Sequence, residues 1–220
     1  MMGAFDFKVI VNALPLLWEG MQVTLLLTAL GIIGGLTLGV VLAVMRLSRS
    51  RVLGFIAGAY VDLLRSLPLV LLIFWFYFLV PIAVGHPVGG FYSAVIGFIL
   101  FEAAYFCEII RSGIEGVRRG QVMAGLASGL TQAQCMRLVV LPQAVRAMTP
   151  VLLMQSINVF KSTSLVYVIG LRDFLTAADL IGGRDNRLTE MYILVAVVFF
   201  VICWTASQAV GLLERRMSSR

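Results

Sequence analysis

The sequence predicts an all-α membrane protein with five transmembrane helices. Of its 220 residues, 60% are hydrophobic and 13% are charged, whereas an ordinary soluble domain has roughly 45–50% apolar and about 25% charged residues. Three long stretches, 20–45, 66–101 and 191–213, contain no charged side chain. Each is long enough to cross about 30 Å of hydrocarbon as a helix, which takes roughly 20 residues. A soluble fold of this size could not bury so much apolar surface.

Charged clusters and helix-breaking residues divide the chain into its predicted elements. Residues 1–19 form an extracytoplasmic tail, residues 20–213 one transmembrane domain, and residues 214–220 a charged cytoplasmic tail. Proline and glycine are frequent between 81 and 90, which favours a turn there. Pro68 is expected to kink the second helix. The predicted helices cover 20–45, 52–80, 92–114, 143 to about 170, and 191–213.

The basic residues predict that the N-terminus lies outside and the C-terminus inside. Inner segments of membrane proteins carry an excess of Lys and Arg. With this orientation 11 basic residues fall in inner segments, 4 in outer segments and 2 within spans, which accounts for all 17. The outer four are Lys8, Arg172, Arg184 and Arg187, and the two within spans are Arg65 and Lys161. The inner ones are Arg46, Arg49, Arg51, Arg111, Arg118, Arg119, Arg137, Arg146, Arg215, Arg216 and Arg220.

Glycine spacing predicts close helix packing along the first span. Gly31, Gly35 and Gly39 give two consecutive G-x-x-x-G spacings. Small residues four apart line one face of a helix and let a second backbone approach it. The pattern does not identify the partner helix.

Several function classes are not supported by the residues present. The cations lie at helix ends rather than on one face, so nucleic acid is not an expected partner. The three cysteines show no metal-ligand or redox spacing and His86 is the single histidine, so no metal site is expected. Ser128, in a Gly-Leu-Ala-Ser-Gly motif, is predicted on the opposite side of the membrane from His86, which excludes a serine protease. The sequence lacks a phosphate-binding loop, so any ATP must bind another chain.

The polar segment 115–142 is predicted to form an elbow outside the membrane. Two helix-compatible stretches, 121–128 and 131–140, flank Gly129. Glycine tolerates positive φ and therefore permits a sharp corner. Leu141-Pro142 is expected to stop the second stretch before the fourth span begins. The alternative is an amphipathic connector at the membrane interface.

The elbow resembles the EAA loop of ABC importer permeases, with which such permeases contact their ATPase. The pattern is Glu-Ala-Ala, three residues, Gly, nine residues, an aliphatic, one residue and Leu-Pro. Met123 replaces the glutamate, so any ion pair of that acid with the ATPase is absent, and Gly125 replaces the second alanine. Every spacing is kept, and the predicted coupling residues are Gln121, Met123, Ala124, Gly125, Gly129, Leu141 and Pro142.

Further motifs resemble the polar amino acid uptake subfamily (the histidine, glutamate, glutamine and arginine type), and most of all its glutamate/aspartate importer permeases. They lie at 65–69, 101–105, 108–114, 120–121, 141–144 and 163–168. The resemblance implies a type I importer permease in a bacterial inner membrane. It also implies a second permease chain, identical or related, an ATPase dimer holding ATP and Mg²⁺, and an extracytoplasmic amino-acid-binding protein. The chain itself would hold no cofactor and catalyse no reaction.

Lys161 is the first candidate for substrate contact. It lies in the outer half of the fourth span, beside Thr163 and Ser164, and Ser162 stands where the resembled family often has aspartate. A cation without a neighbouring acid suits a substrate that bears a carboxylate. The alternatives are that Lys161 extends to the outer interface or pairs with an acid of a partner chain.

Other polar residues within the predicted spans are further pathway candidates, because polar groups in a bilayer usually face a cavity or a partner. Glu102 is either a ligand for the substrate amino group or a structural partner of Lys161 or Arg65. Arg65, before Pro68, is a candidate for a gate, and Asn158 lies one turn before Lys161. Glu108 and Arg111, three residues apart, are expected to pair locally.

Three functions remain open from the sequence. The first is an ATP-driven importer of glutamate, aspartate or a related polar amino acid. The second is the same permease with another polar amino acid as its substrate. The third is a membrane scaffold whose basic loop docks a soluble partner, although a scaffold does not need polar residues such as Lys161, Glu102 and Asn158 within hydrocarbon.

Overall fold

The structure, a computed structural model, describes residues 7–218 and the side chains of residues 9–217. The regular secondary structure of this part of the chain is all helical, with no strand. Lys8 and Arg220, both counted in the predicted charge asymmetry, lie outside the described side chains. The helices are α1 Phe7–Leu47, α2 Arg51–Arg65, α3 Leu69–Phe74, α4 Val80–Val84, α5 Gly90–Glu115, α6 Arg119–Ala127, α7 Gln132–Cys135, α8 Leu141–Ser162, α9 Phe174–Arg184 and α10 Leu188–Ser218.

Four helical segments are long and apolar enough to cross a membrane, and there are five if a bent pair of helices is counted as one span. The four segments are Val9–Leu47, Gly90–Glu115, Gln132–Ile169 and Leu188–Met217. The bent pair consists of Arg51–Arg65 and Leu69–Val84, and the helix direction bends by 101° between them. The prediction of an all-α polytopic membrane protein is therefore confirmed.

The second predicted helix is broken rather than kinked. Its first part, α2, ends at Arg65, where the amide and the hydroxyl of Ser66 both donate to the Asp62 carbonyl. Leu67 lies outside both helices, because proline disfavours the helical conformation of the residue before it. Pro68 itself has extended backbone and precedes α3. Leu69–Val84 is about 24 Å long at helical rise, and both α2 and α3 contact α5.

The first helix is longer than predicted. It begins at Phe7 rather than Gly20 and spans 41 residues, or about 60 Å. The predicted tail is therefore mostly helical: between Val9 and Glu19 it has one charged residue, Glu19, and one other polar residue, Asn12. Ala13 and Leu17 are buried in the same cluster as Phe174 of α9, so the early turns of α1 are packed.

The predicted charged loop 172–190 also contains a helix. Asp173 caps α9 by accepting hydrogen bonds from the amides of Leu175 and Thr176 and from the Thr176 hydroxyl. Thr24 of α1 accepts a bond from the Phe174 amide. Burial raises the pKa of Asp173, while the bonds it accepts oppose that shift. These contacts fix the outer segment against α1.

α5 lies at the centre of the fold, in contact with α1, α2, α3 and α8. The predicted glycine stripe of α1 faces it. A Cβ atom at Gly35 would lie 2.9 Å from Cβ of Glu102, and one at Gly39 would lie 2.8 Å from Cβ of Phe106. The close approach predicted from the spacing is confirmed, and the partner that the sequence left open is α5.

Gly39→Leu is expected to lower the free energy of unfolding by about 1–3 kcal/mol or more, because an added side chain must displace the α5 backbone. A Cβ at Gly39 would also lie 3.1 Å from the Ala103 carbonyl oxygen. The thermal midpoint of the purified protein measures the effect. Gly211→Leu in α10 is the control, since a Cβ there meets nothing within 4 Å. Equal midpoints for the two variants would contradict this α1–α5 contact.

Candidate functional site

Glu102 is the buried acid nearest the middle of the helical packing. Its side chain lies on α5 and is 1% exposed. The Gln155 side-chain nitrogen on α8 donates to its carboxylate at 2.8 Å. Among the described residues Glu102 forms no ion pair with Lys161 or Arg65, the two partners considered from the sequence. Gln155 was missed, although a glutamine inside an apolar span was a visible signal.

Lys161 lies in the last turn of α8 and its side chain is exposed. No carboxylate of the described residues pairs with it. Phe160, one residue earlier, lines an open apolar groove of about 420 Å³ between α8 and α10. The cation therefore projects from the end of a helix whose adjacent groove is apolar.

The hydroxyl groups of Thr163 and Ser164 donate hydrogen bonds to backbone carbonyls at the end of α8. Thr163 is fully buried and its hydroxyl donates to the Phe160 carbonyl at 2.7 Å. Ser164 is partly exposed and donates to the Lys161 carbonyl at 2.9 Å. Asn158, one turn earlier, is exposed. Of these candidates, Asn158 and Ser164 share the accessible surface with Lys161, whereas Thr163 faces the packed interior.

Arg65 lies at the break between α2 and α3. Its guanidinium carbon is 5.5 Å from the centre of the Tyr105 ring on α5, a geometry typical of a cation–π contact. The side chain is exposed. Among the ion pairs of the described residues, none joins Arg65 to Glu102. Its position joins the broken span to the central helix.

Three helices near the elbow end of the bundle are linked by Arg46 together with Glu108. Arg111 pairs with Glu108 within α5, which confirms the predicted local pair. Arg46 at the end of α1 also donates to it, at 2.6 Å, and lies 3.8 Å from Asp62 of α2. The sequence pattern did not indicate Arg46, since its partner is 62 residues away.

The elbow has the corner that the sequence predicts. Gly129 has φ of +86°. The Leu130 amide bonds to the Gly125 carbonyl and the Gly129 amide to the Leu126 carbonyl, which together form a Schellman cap at the end of α6. Thr131 then begins α7 with a capping box that includes Gln134. Both sides of the corner are fixed by local hydrogen bonds.

Small residues let α6 pack closely on the second arm of the elbow. Gly125 is buried, and a Cβ there would lie 3.0 Å from the Cys135 sulfur and 3.5 Å from Val139. Glycine in place of the second alanine of the resembled loop therefore fits a tighter contact. Gln121, Met123 and Ala124 of the same helix are exposed.

The prediction that Leu141-Pro142 stops the second arm is wrong. Helix continues from Gln132 to Ile169. A π-helical turn, Met136–Val140, precedes Pro142, and the Leu141 amide bonds to the Met136 carbonyl five residues back. The Gln143 side chain donates to the Val139 carbonyl. The wider turn accommodates the missing proline donor, so the elbow arm and the fourth span are one helix.

Comparison with known proteins identifies the family. Residues 35–219 match the family described as "Binding-protein-dependent transport system inner membrane component". The chain belongs to this permease family. The glutamate/aspartate import permease protein GltK of Escherichia coli O6:H1 is 45% identical over 222 residues, which cover 98% of this chain and 99% of that protein. The glutamine transport system permease protein GlnP of Escherichia coli K12 is 34% identical over 97% of this chain and 98% of its own length.

The fold of the permease agrees with a solved relative. A crystal structure of an amino acid ABC transporter with histidines contains a chain that is 33% identical and superimposes with a TM-score of 0.92. The match covers 97% of this chain and 100% of the other. This permease is thus a multi-pass subunit of an amino acid ABC importer with the type I fold, and its relatives are transport subunits rather than enzymes. Membership of a binding-protein-dependent family implies ATPase and binding-protein partners.

Proposed function

We propose that this permease forms one half of the membrane pathway of an importer for acidic amino acids, glutamate or aspartate. The observation that carries the proposal is Lys161, an exposed cation in a span with no carboxylate partner among the described residues. An ammonium in a partly dehydrated site binds a carboxylate strongly. The 45% identity with the GltK permease supports the same substrate class.

The groups around Lys161 suit recognition of a carboxylate. Asn158 and Ser164 share its accessible surface and supply an amide and a hydroxyl. Glu102 serves the structure in this proposal, because it is buried and its carboxylate bonds to Gln155 across the α5–α8 contact. Arg65, stacked on Tyr105, anchors the break in the second span, where a change of angle would open or close the path.

The proposed assembly contains a second permease chain, which completes the path on the open side of α8. The N-terminus lies outside and the elbow inside the bacterial inner membrane, as the 11 inner against 4 outer basic residues indicate. Two ATPase subunits, which bind ATP and Mg²⁺, contact the elbow residues, and a binding protein delivers substrate from outside. ATPase closure moves the elbow, and α8 moves with it because the two are one continuous helix.

Uptake by the reconstituted complex tests this function. Proteoliposomes that contain both permease chains, the ATPase and ATP are supplied with an excess of binding protein and with labelled amino acids. We expect ATP-dependent uptake of glutamate or aspartate, with glutamine and arginine at least about tenfold slower. Liposomes with a non-hydrolysable ATP analogue are the control. Faster uptake of glutamine, the substrate named for the GlnP relative, would overturn the acidic assignment and leave the permease assignment in place.

A further inference from the structure

Two arginines at the inner end of α1 bind different parts of the molecule. Arg46, in the last turn of α1, donates to Glu108 of α5 at 2.6 Å and lies 3.8 Å from Asp62 of α2. Arg49, three residues later, is exposed and donates to the side-chain oxygen of Gln132, the first residue of α7. This short stretch of chain therefore contacts both the helix bundle and the elbow.

The turn between α1 and α2 is short and capped. Residues 48–50 alone separate the two helices. The Ser50 hydroxyl accepts a hydrogen bond from the Leu53 amide, and the Ser50 carbonyl accepts one from the Gly54 amide at 3.0 Å. A Cβ atom at Gly54 would lie 3.7 Å from the Arg46 carbonyl oxygen, so the first turn of α2 packs on the end of α1. A displacement of this turn therefore displaces the start of α2.

The elbow is joined by continuous helix to α8 but not to α2. Gln132–Ile169 is one helical segment, so α8 must follow the elbow. α2 belongs to the broken span, whose direction bends by 101° after Arg65. Arg49 and Gln132 are 83 residues apart in the sequence, so their hydrogen bond is a tertiary contact. This bond gives α2 a link to the elbow that the chain itself does not provide.

We propose that Arg49 and Gln132 are positioning residues that make α2 follow the elbow when the ATPase closes. This inference rests on the proposed function, in which ATPase closure moves the elbow. The guanidinium makes the bond charge-assisted, and such bonds are stronger than neutral ones. With the bond in place, the break after Arg65 changes its angle in step with α8. Without it, α8 still moves but α2 lags behind, so ATP is hydrolysed without a matched opening of the path.

The number of substrate molecules imported per ATP hydrolysed tests the proposal. It is measured in proteoliposomes that contain the complete complex, with excess binding protein. Arg49→Ala and Gln132→Ala should each lower this ratio about three- to fivefold, a modest factor because the bond is exposed to water. Hydrolysis itself should stay close to the natural rate, because neither change alters α6 or the corner at Gly129. The double variant should lose no more than either single variant, since both remove the same bond.

Arg51→Ala is the matched control. Arg51, two residues after Arg49, is also exposed and forms no ion pair with a described residue. Its removal takes away the same charge but leaves the bond in place, so the ratio should stay as in the natural complex. Arg49→Gln with Gln132→Arg exchanges donor and acceptor and should restore most of the lost ratio. An exchanged pair no better than the single variants, or a double variant whose loss multiplies the two single losses, would overturn the inference.

Transport by the natural complex separates this inference from the proposed function. If the natural complex hydrolyses ATP but imports no amino acid, the proposed function fails and this inference with it. If it imports amino acids and Arg49→Ala keeps the natural ratio, only this inference fails. Weaker binding of the ATPase by Arg49→Ala would show that Arg49 contacts the partner directly, and a lower thermal midpoint would show that the bond stabilises the fold. Either of these results would overturn the positioning role.

Discussion

Gly129→Asp is expected to abolish stimulation of the ATPase while the permease still folds in the membrane. The backbone at Gly129 has φ of +86°, which side chains other than hydrogen rarely adopt. A substitution at such a position costs about 1–2 kcal/mol of strain, which the elbow relieves by changing its corner angle. The added carboxylate also introduces negative charge into a segment that otherwise has only arginines. With a changed corner angle and a smaller positive charge, the elbow cannot transmit ATPase closure to α8.

Rates of ATP hydrolysis by the assembled complex, with and without loaded binding protein, measure this coupling. Gly129→Ala isolates the backbone strain, and Gly129→Asn adds a side chain of the same shape without charge. Gly183→Asp is the matched control, because Gly183 lies in α9, away from the elbow, and its Cβ position is also open. Normal stimulation of hydrolysis in Gly129→Asp would contradict the assignment of the elbow as the coupling segment.

Long apolar runs and glycine positions were the parts of the fold that the sequence predicted well. α5 begins and ends within two residues of the predicted 92–114, because charges and glycines bound an apolar run of suitable length. Gly129 forms the expected corner, since few residues other than glycine take that φ. The stripe of Gly31, Gly35 and Gly39 indicated a close contact, but a one-helix pattern holds no information about the partner.

The errors in the predicted fold share a physical cause. A single proline or charged residue does not show whether packing and hydrogen bonds nearby allow the helix to continue. Pro68 indicated a disturbance of the second helix but not its 101° angle, which depends on the contacts of α2 and α3 with α5. Pro142 predicts a stop, whereas the π turn before it lets the helix continue. Glu19 predicts the end of a tail, although Ala13 and Leu17 of that segment are buried in one cluster with residues of α9.

Polar residues within spans could be found from the sequence, but their pairs could not. Glu102 and Lys161 stand out because charges in a bilayer are costly. Their surroundings depend on which helices meet: Glu102 bonds to Gln155, 53 residues away. Thr163 is fully buried and its hydroxyl bonds to the Phe160 carbonyl, which residue type alone does not indicate.

Lys161→Ala is expected to slow uptake of glutamate or aspartate about ten- to a hundredfold. A charge-assisted bond to a carboxylate contributes on the order of 1.5–3 kcal/mol in a partly dehydrated site, and 1.4 kcal/mol corresponds to a factor of ten. Lys161 has no carboxylate partner among the described residues, so its removal leaves none of their buried acids without a partner. A neutral amino acid that uses the same path should be affected much less. Lys161→Glu should be worse for acidic substrates, because like charges repel.

The measurement is the initial rate of uptake by proteoliposomes that contain the complete complex. Binding protein is supplied in excess so that delivery of the substrate is not limiting. Lys161→Arg keeps the positive charge and should retain most of the uptake. Arg172→Ala removes another exposed cation a short distance along the chain, after α8 has ended, and it should leave acidic and neutral uptake in their natural ratio. Equal losses for acidic and neutral substrates in Lys161→Ala would show that the side chain stabilises helix packing, because a packing defect does not distinguish substrates by charge.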